Sequence, residues 1–255
     1  MSTDKNSSNY RLWKSRVAAA RMAYRDGKLA DAERLARRAL LDTEQMDDSQ
    51  FQLAVTLNYV ALPCLASGRL SEAESLLTRA ERIARSDSAA EYKQLLGSTL
   101  RHLSQLRIQQ DKSPEAETLL IDAVEALQKA LPDSAIELAN CLCDMASMYL
   151  LRGEAAQAEP LVVEALKIFN SDTLGAGDDL NRAGFIYEAC MNCDDEQQLE
   201  ELFETFATKT QYNVGPRNPN LVRALRLYAE HLKKIGNKER LAQVCEQFSA
   251  LQSSK

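Results

Sequence analysis

The chain has 255 residues, a formal net charge of −6 and only nine Gly and six Pro, against 35 Ala and 37 Leu. So many helix formers with so few breakers exclude a barrel, a sandwich or a doubly wound sheet, each of which needs turn residues every ten or so positions. The acidic balance, with a pI of about 5.2, excludes bulk nucleic-acid binding, which needs a basic field.

Residues 1–12 are polar and lack the apolar core of a signal peptide, so they read as a flexible N-terminal tail. No segment has the 18 or more continuous apolar residues of a membrane span. With Cys scattered along a helical chain, a cytoplasmic location and no membrane partner are expected. The first helix, from residue 13, is basic through Arg11, Lys14, Arg16, Arg21 and Arg25. Acids follow at Asp26, Asp31 and Glu33, so a local nucleic-acid patch is the weaker reading, and no nucleic-acid partner is expected.

From there the chain repeats. Arg-Asp-Gly-Lys-Leu-Ala-Asp-Ala-Glu ends at Glu33 and Ala-Ser-Gly-Arg-Leu-Ser-Glu-Ala-Glu ends at Glu74. Gln-Gln-Asp-Lys-Ser-Pro-Glu-Ala-Glu ends at Glu117 and Leu-Arg-Gly-Glu-Ala-Ala-Gln-Ala-Glu at Glu159. The turn positions are Gly27, Gly68, Asp111 and Gly153, continuing to Asp194 and Gly236, with spacings of 41, 43, 42, 41 and 42. Seven before each turn stand Ala20, Ala61, Ser104, Ala146, Tyr187 and Ala229. Five after it stand Ala32, Ala73, Ala116, Ala158, Leu199 and Leu241. Twelve after it stand Ala39, Ala80, Ala123, Ala165, Phe206 and Phe248. Small residues locked to a turn predict a tight helix hairpin, because two helix axes approach closely only where side chains are small. Gly at the turn suits the positive φ that often ends a helix.

The period divides the chain into repeats at about 13–53, 54–96, 97–138, 139–179, 180–221 (degenerate) and 222–255 (a C-terminal cap). This predicts an all-α solenoid of six hairpins and twelve helices. Pro114 and Pro160 fall early in second helices, where a break is not expected. Pro63 lies inside a first helix and predicts a kink. The longest loop is expected over 208–220, which holds Gly215, Pro216 and Pro219. In the last helix Leu241, Val244, Cys245, Phe248 and Leu251 form one stripe backed by polar residues, as at a solenoid's end.

The pattern resembles the tetratricopeptide repeat family, and the long period resembles the kinesin-light-chain type of about 42 residues. The residues carrying it are 158–166 (Ala-Glu-Pro-Leu-Val-Val-Glu-Ala-Leu), 131–139 (Leu-Pro-Asp-Ser-Ala-Ile-Glu-Leu-Ala) and 215–225 (Gly-Pro-Arg-Asn-Pro-Asn-Leu-Val-Arg-Ala-Leu). The resemblance implies a right-handed superhelix with a concave groove lined by first-helix residues. Those columns hold Lys14, Arg21, Tyr24, Asn58, Tyr59, Arg101, His102, Gln105, Asn140, Asp144, Asn181, Arg223 and Arg226. Asn58 stands where an amide of the family commonly grips a peptide backbone, and the arginines suit carboxylates. The expected ligand is a protein or peptide segment, acidic to neutral, with apolar anchors, held by a non-catalytic scaffold or adaptor without cofactors.

Two other readings stand beside it. The degenerate fifth repeat and the aromatics Tyr10, Trp13, Phe185 and Tyr187 suit a self-assembling homo-oligomer. Cys190 and Cys193 form a Cys-x-x-Cys, weak candidates for a metal or redox site. Zinc needs two more ligands, and neither His102 nor His231 stands beside another ligand pair, so no metal is expected. Cys141 and Cys143 cannot share a helix face and read as one buried and one groove-facing thiol. No phosphate loop, Gly-x-Ser-x-Gly or His-Glu-x-x-His is present, and no enzyme activity is expected.

Overall fold

In a computed structural model of the chain, residues 2–47, 49–169, 229–230, 232–233 and 235–253 are described. Helices α1 (Ser2–Arg25), α2 (Leu29–Thr43), α3 (Gln50–Ala66) and α4 (Leu70–Ala84) are followed by α5 (Ala90–Gln109) and α6 (Ser113–Gln128). Then come α7 (Ala135–Leu151), α8 (Ala155–Phe169) and α9 (Lys238–Ser253). No strand occurs among the described residues. Three of the twelve expected helices, the fifth repeat and the 208–220 loop fall wholly or largely outside the described residues. Residues 2–12, expected as a tail, instead continue α1 back to Ser2.

The chain divides into two compact units, residues 1–137 and 138–255. In the first unit α1 packs with α2, α3 with α4 and α5 with α6, and each hairpin joins the next through α2–α3 and α4–α5. The first helices α1, α3 and α5 also touch in succession, whereas the second helices stand further apart. This stack therefore curves with its first helices on the inner side.

The turns obey one rule. Gly27, Gly68, Gly153 and Gly236 have φ of 74°, 71°, 77° and 81°, and Asp111 has φ 59° in the same place. The next residue's N–H closes a 6→1 bond: Lys28 to Ala23 O (2.9 Å), Arg69 to Cys64 O (2.9 Å) and Lys112 to Arg107 O (2.9 Å). Glu154 to Tyr149 O (2.9 Å) and Asn237 to Leu232 O (3.0 Å) complete the series. These are Schellman caps, which satisfy carbonyls that the helix end would leave unpaired. The second helices α2, α4 and α6 start without side-chain caps. Asp31, Glu72 and Glu115 in their first turns instead favour the positive end of the helix dipole.

The small-residue columns are the seams. Ala20, Ala61, Ser104 and Ala146, then Ala32, Ala73, Ala116 and Ala158, then Ala39, Ala80, Ala123 and Ala165 are all buried. Around them Leu57, Ile83 and Leu95 pack with Phe51 and Tyr92, and Val60 packs with Leu35, Tyr59 and Leu76. A fourth small column, fourteen before the turn, holds Ala54, Gly97 and Ala139. A Cβ built on Gly97 would stand 2.3 Å from Leu127 Cγ.

Pro114 lies in the first turn of α6, and α8 runs through Pro160 unbroken. Likewise α3 continues past Pro63 to Ala66, where the proline sits in its last turn. In the second unit Val244 is buried, but Cys245 is exposed rather than part of the inward stripe. Cys141 and Cys143 are both buried, so neither thiol faces a groove. Positions two apart on a helix differ by about 200°, and both thiols are buried because α7 is covered on more than one side, with Leu138, Leu142, Met145 and Met148 buried as well.

Candidate functional site

The first-helix face of the first unit brings residues of three helices together. Arg21 of α1 hydrogen-bonds the Tyr59 hydroxyl of α3, which opposes the rise that burial imposes on the tyrosine pKa. Burial likewise raises the pKa of Tyr24 on α1, and the charge of Arg101 on α5 lowers it. Tyr24, Tyr59, Arg101, His102 and Gln105 are half-buried, while Lys14 and Arg21 are exposed. The result is a surface of guanidinium and phenol groups over an apolar floor.

His102 is held neutral. Burial drives its pKa down to about 3, with a further push from the Arg101 charge, and Nδ1 is sealed without a hydrogen-bond partner. It offers shape to this face, not charge, at neutral pH.

Asn58 departs from its expected place. It is only 5% exposed. Its Nδ2 donates to Thr99 Oγ1 at 2.8 Å, and the Thr99 hydroxyl also lies 3.2 Å from Asn58 Oδ1 and 2.8 Å from Leu95 O. The amide that was to grip a ligand instead ties α3 to α5. Trp13 does the same between α1 and α3, its Nε1–H donating to Thr56 Oγ1 at 2.7 Å. Trp13 is thus buried, not an exposed aromatic, while Tyr10 beside it is exposed. Thr56 and Thr99 both stand twelve before their turns. That coincidence is the sequence signal that could have revealed this buried polar column.

In the second unit Asn140 is half-buried with Oδ1 unpaired, and Asp144 is half-buried. Asn181, Arg223, Arg226, Cys190, Cys193, Phe185 and Tyr187 lie outside the described residues.

One group among the described residues has the donors for a metal. Glu33, Cys64 and Glu72 place their ligand atoms within 4.8 Å of one another. The group does not suit a cation. Glu33 is paired with Arg37 (2.8 Å) and Arg69 (3.0 Å), and Glu72 with Arg69 (3.0 Å) and Arg37. Those arginines lower the carboxylate pKa values, Arg69 chiefly at Glu33 and Arg37 chiefly at Glu72. Burial raises the Cys64 thiol to about 11, so the thiolate a metal needs is absent at neutral pH. The four charges work as a brace, since Arg37–Glu72 and Arg69–Glu33 join consecutive hairpins, as Arg107–Glu74 (2.8 Å) does one repeat on.

This hairpin architecture is that of the tetratricopeptide repeat, and the sequence pattern of that family matches residues 95–171. Residues 95–171 of the chain thus carry tetratricopeptide repeats. Among solved structures, BtubC (BKLC) from P. vanneervenii superposes with a TM-score of 0.61 at 16% identity, over 95% of this chain and 91% of that one. Aspartyl phosphate phosphatase F from Bacillus subtilis gives 0.58 at 14% identity, over 94% of this chain but 60% of that one. Kinesin-light-chain TPR-like repeats from Podosopora anserina align over 96% of both chains at 17% identity, with a TM-score of 0.46. At such identities the likeness is one of fold. No curated protein sequence matches the chain. No helix among the described residues is long and apolar enough to cross a membrane.

Proposed function

We propose that the chain is a non-catalytic interaction scaffold that holds an extended peptide or protein segment against its first-helix face. The observation that carries this reading is the convergence of Arg21, Tyr24, Tyr59 and Arg101 from three helices on the inner side of the stack. Paired guanidinium and phenol groups favour carboxylates, and half-buried rings and aliphatic walls favour apolar anchors. The preferred ligand is therefore acidic to neutral with apolar side chains. Lys14, His102 and Gln105 border the face. Asn140, Asp144, Asn181, Arg223 and Arg226 extend it if the six-hairpin, twelve-helix right-handed superhelix continues through the chain, with 180–221 as its irregular repeat and 222–255 as its cap. No cofactor is required, and the cytoplasm is the natural setting.

The test is a peptide selected from a displayed library for binding to the intact chain. Arg101→Ala combined with Tyr59→Ala is expected to weaken it at least about tenfold, the loss of a charged and an aromatic contact. Unchanged affinity removes the groove assignment. The self-assembly alternative has lost one motive with Trp13 buried, and a monomer at all concentrations in sedimentation would end it.

A further inference from the structure

We propose that the Asp26–Gly27 step, in the turn between α1 and α2, is a modification site at which aspartate isomerises to isoaspartate through a succinimide and loosens the first hairpin. The 255 residues contain one Asp-Gly step and no Asn-Gly. An Asp-Gly step is the most open to this ring closure, because glycine has no side chain to shield its nitrogen or limit its rotation. In the other four caps the turn residue follows Ser67, Gln110, Arg152 or Ile235, so among these turns the first alone has the chemistry.

The fold leaves the reacting groups open to water. Asp26 directly follows Arg25, the last residue of α1. Its side chain is 46% exposed and pairs with Lys28, itself 64% exposed, at 3.3 Å. Gly27 is exposed, and a Cβ built on it would meet nothing within 4 Å. The Asp-Ser steps at Asp87 and Asp133, the next least shielded, are better held. Asp87 Oδ1 accepts the Ala89 N–H at 2.9 Å. Asp133 precedes Ser134, which is fully buried with Oγ donating to Leu127 O at 2.6 Å.

The reaction needs only water. The Gly27 nitrogen gives its proton to solvent and bonds to Asp26 Cγ. The Cγ–O bond breaks, and that oxygen, once protonated, leaves as water. The five-membered imide then takes up one water. Opening at Cγ restores aspartate. Opening at the main-chain carbonyl leaves isoaspartate, with the chain running through Cβ and Cγ. No atom is gained or lost overall.

The cap sets the rate. In the closed turn the Gly27 N–H donates to Tyr24 O at 3.0 Å, Lys28 N–H to Ala23 O at 2.9 Å and Leu29 N–H to Gly27 O at 3.0 Å. The Gly27 nitrogen is thus engaged by the helix end, not by its own neighbour's carboxylate. Residues 25–28 are all exposed, so the turn opens without unpacking a core. Isoaspartate adds a methylene to the main chain inside the 6→1 ring, and the Lys28 to Ala23 bond loses its spacing.

The test ages the intact chain at neutral pH. Endoproteinase Lys-C then releases residues 15–28, and electron-transfer fragmentation separates aspartate from isoaspartate at position 26. Isoaspartate is expected to accumulate there faster than at Asp87 or Asp133. The free peptide 15–28 is expected to react roughly tenfold faster than the folded chain, the ratio set by opening of the cap. Asp26→Glu, which keeps the charge but closes a six-membered ring poorly, is expected to lose the product. Asp26→Asn, with ammonia as the leaving group, is expected to gain it faster. In the aged chain the Lys28 amide is expected to exchange its hydrogen sooner than in the fresh one. Circular dichroism confirms that each variant is folded. No more isoaspartate at position 26 than in Asp26→Glu overturns the proposal, as does faster formation at Asp87 or Asp133. Equal rates in peptide and folded chain, or unchanged Lys28 exchange after conversion, overturn the role given to the cap.

Discussion

At the scale of single residues, the buried polar pairs and the tight glycine carry the most weight. Thr99 accepts from Asn58 while satisfying Leu95 O, so Thr99→Val strands a buried amide. The expected cost is about 1–3 kcal/mol in urea unfolding, and an unchanged midpoint would show that Asn58 finds another partner. Gly97→Ala drives a Cβ into Leu127. Overpacking costs about 1–3 kcal/mol and outweighs the helix-propensity gain of about 1 kcal/mol. A rise in melting temperature would reverse that ranking. The sequence announced Ala32 or Ala73 but not Asn58, because an amide reads the same whether it faces solvent or a threonine one repeat away.

At the scale of elements, the hairpin turn is where sequence and structure agree best. Four turns place Gly at positive φ, and the third places Asp111 there. A side chain in that region costs roughly 1–2 kcal/mol, reduced for Asp, which tolerates it better than most residues. Asp111→Gly is therefore expected to raise stability modestly, and Gly68→Ala to lower it by about 1 kcal/mol. Thermal melts of the two variants check both signs, and a stabilised Gly68→Ala would contradict the cap geometry. Helix limits were less legible. Residues 2–12 look like a tail by composition, yet α1 begins at Ser2, and Asn9 Nδ2 donates to Gln45 O at 3.1 Å. That contact, 36 positions away, leaves no local pattern.

At the scale of the whole molecule, acid is the informative variable. His102 has a folded pKa of about 3 against an ordinary 6.5. The unfolded chain thus takes up the proton first, and stability falls as pH drops below 6.5 towards 3. Near pH 5 the loss from this group is about 2 kcal/mol. Glu33, Glu72 and Glu74, lowered chiefly by Arg69, Arg37 and Arg107 respectively, add their own loss only below about 4.5. Between pH 6.5 and 5 the slope therefore belongs to His102 among these groups. Denaturation of His102→Phe at pH 7 and pH 5 is expected to show a smaller difference than the native chain. An identical difference would assign the slope elsewhere.

The sequence by itself determined the helical class, the period of about 42, the turn positions and the three small-residue columns. Each is a local or periodic property, and a close-packed hairpin permits few side chains at its seam. Only the tertiary structure decided which polar residues face outward. Asn58, Trp13 and Cys143 turn inward, and Arg21 meets Tyr59. Those outcomes depend on partners one repeat away, whose distance in space no spacing along the chain encodes.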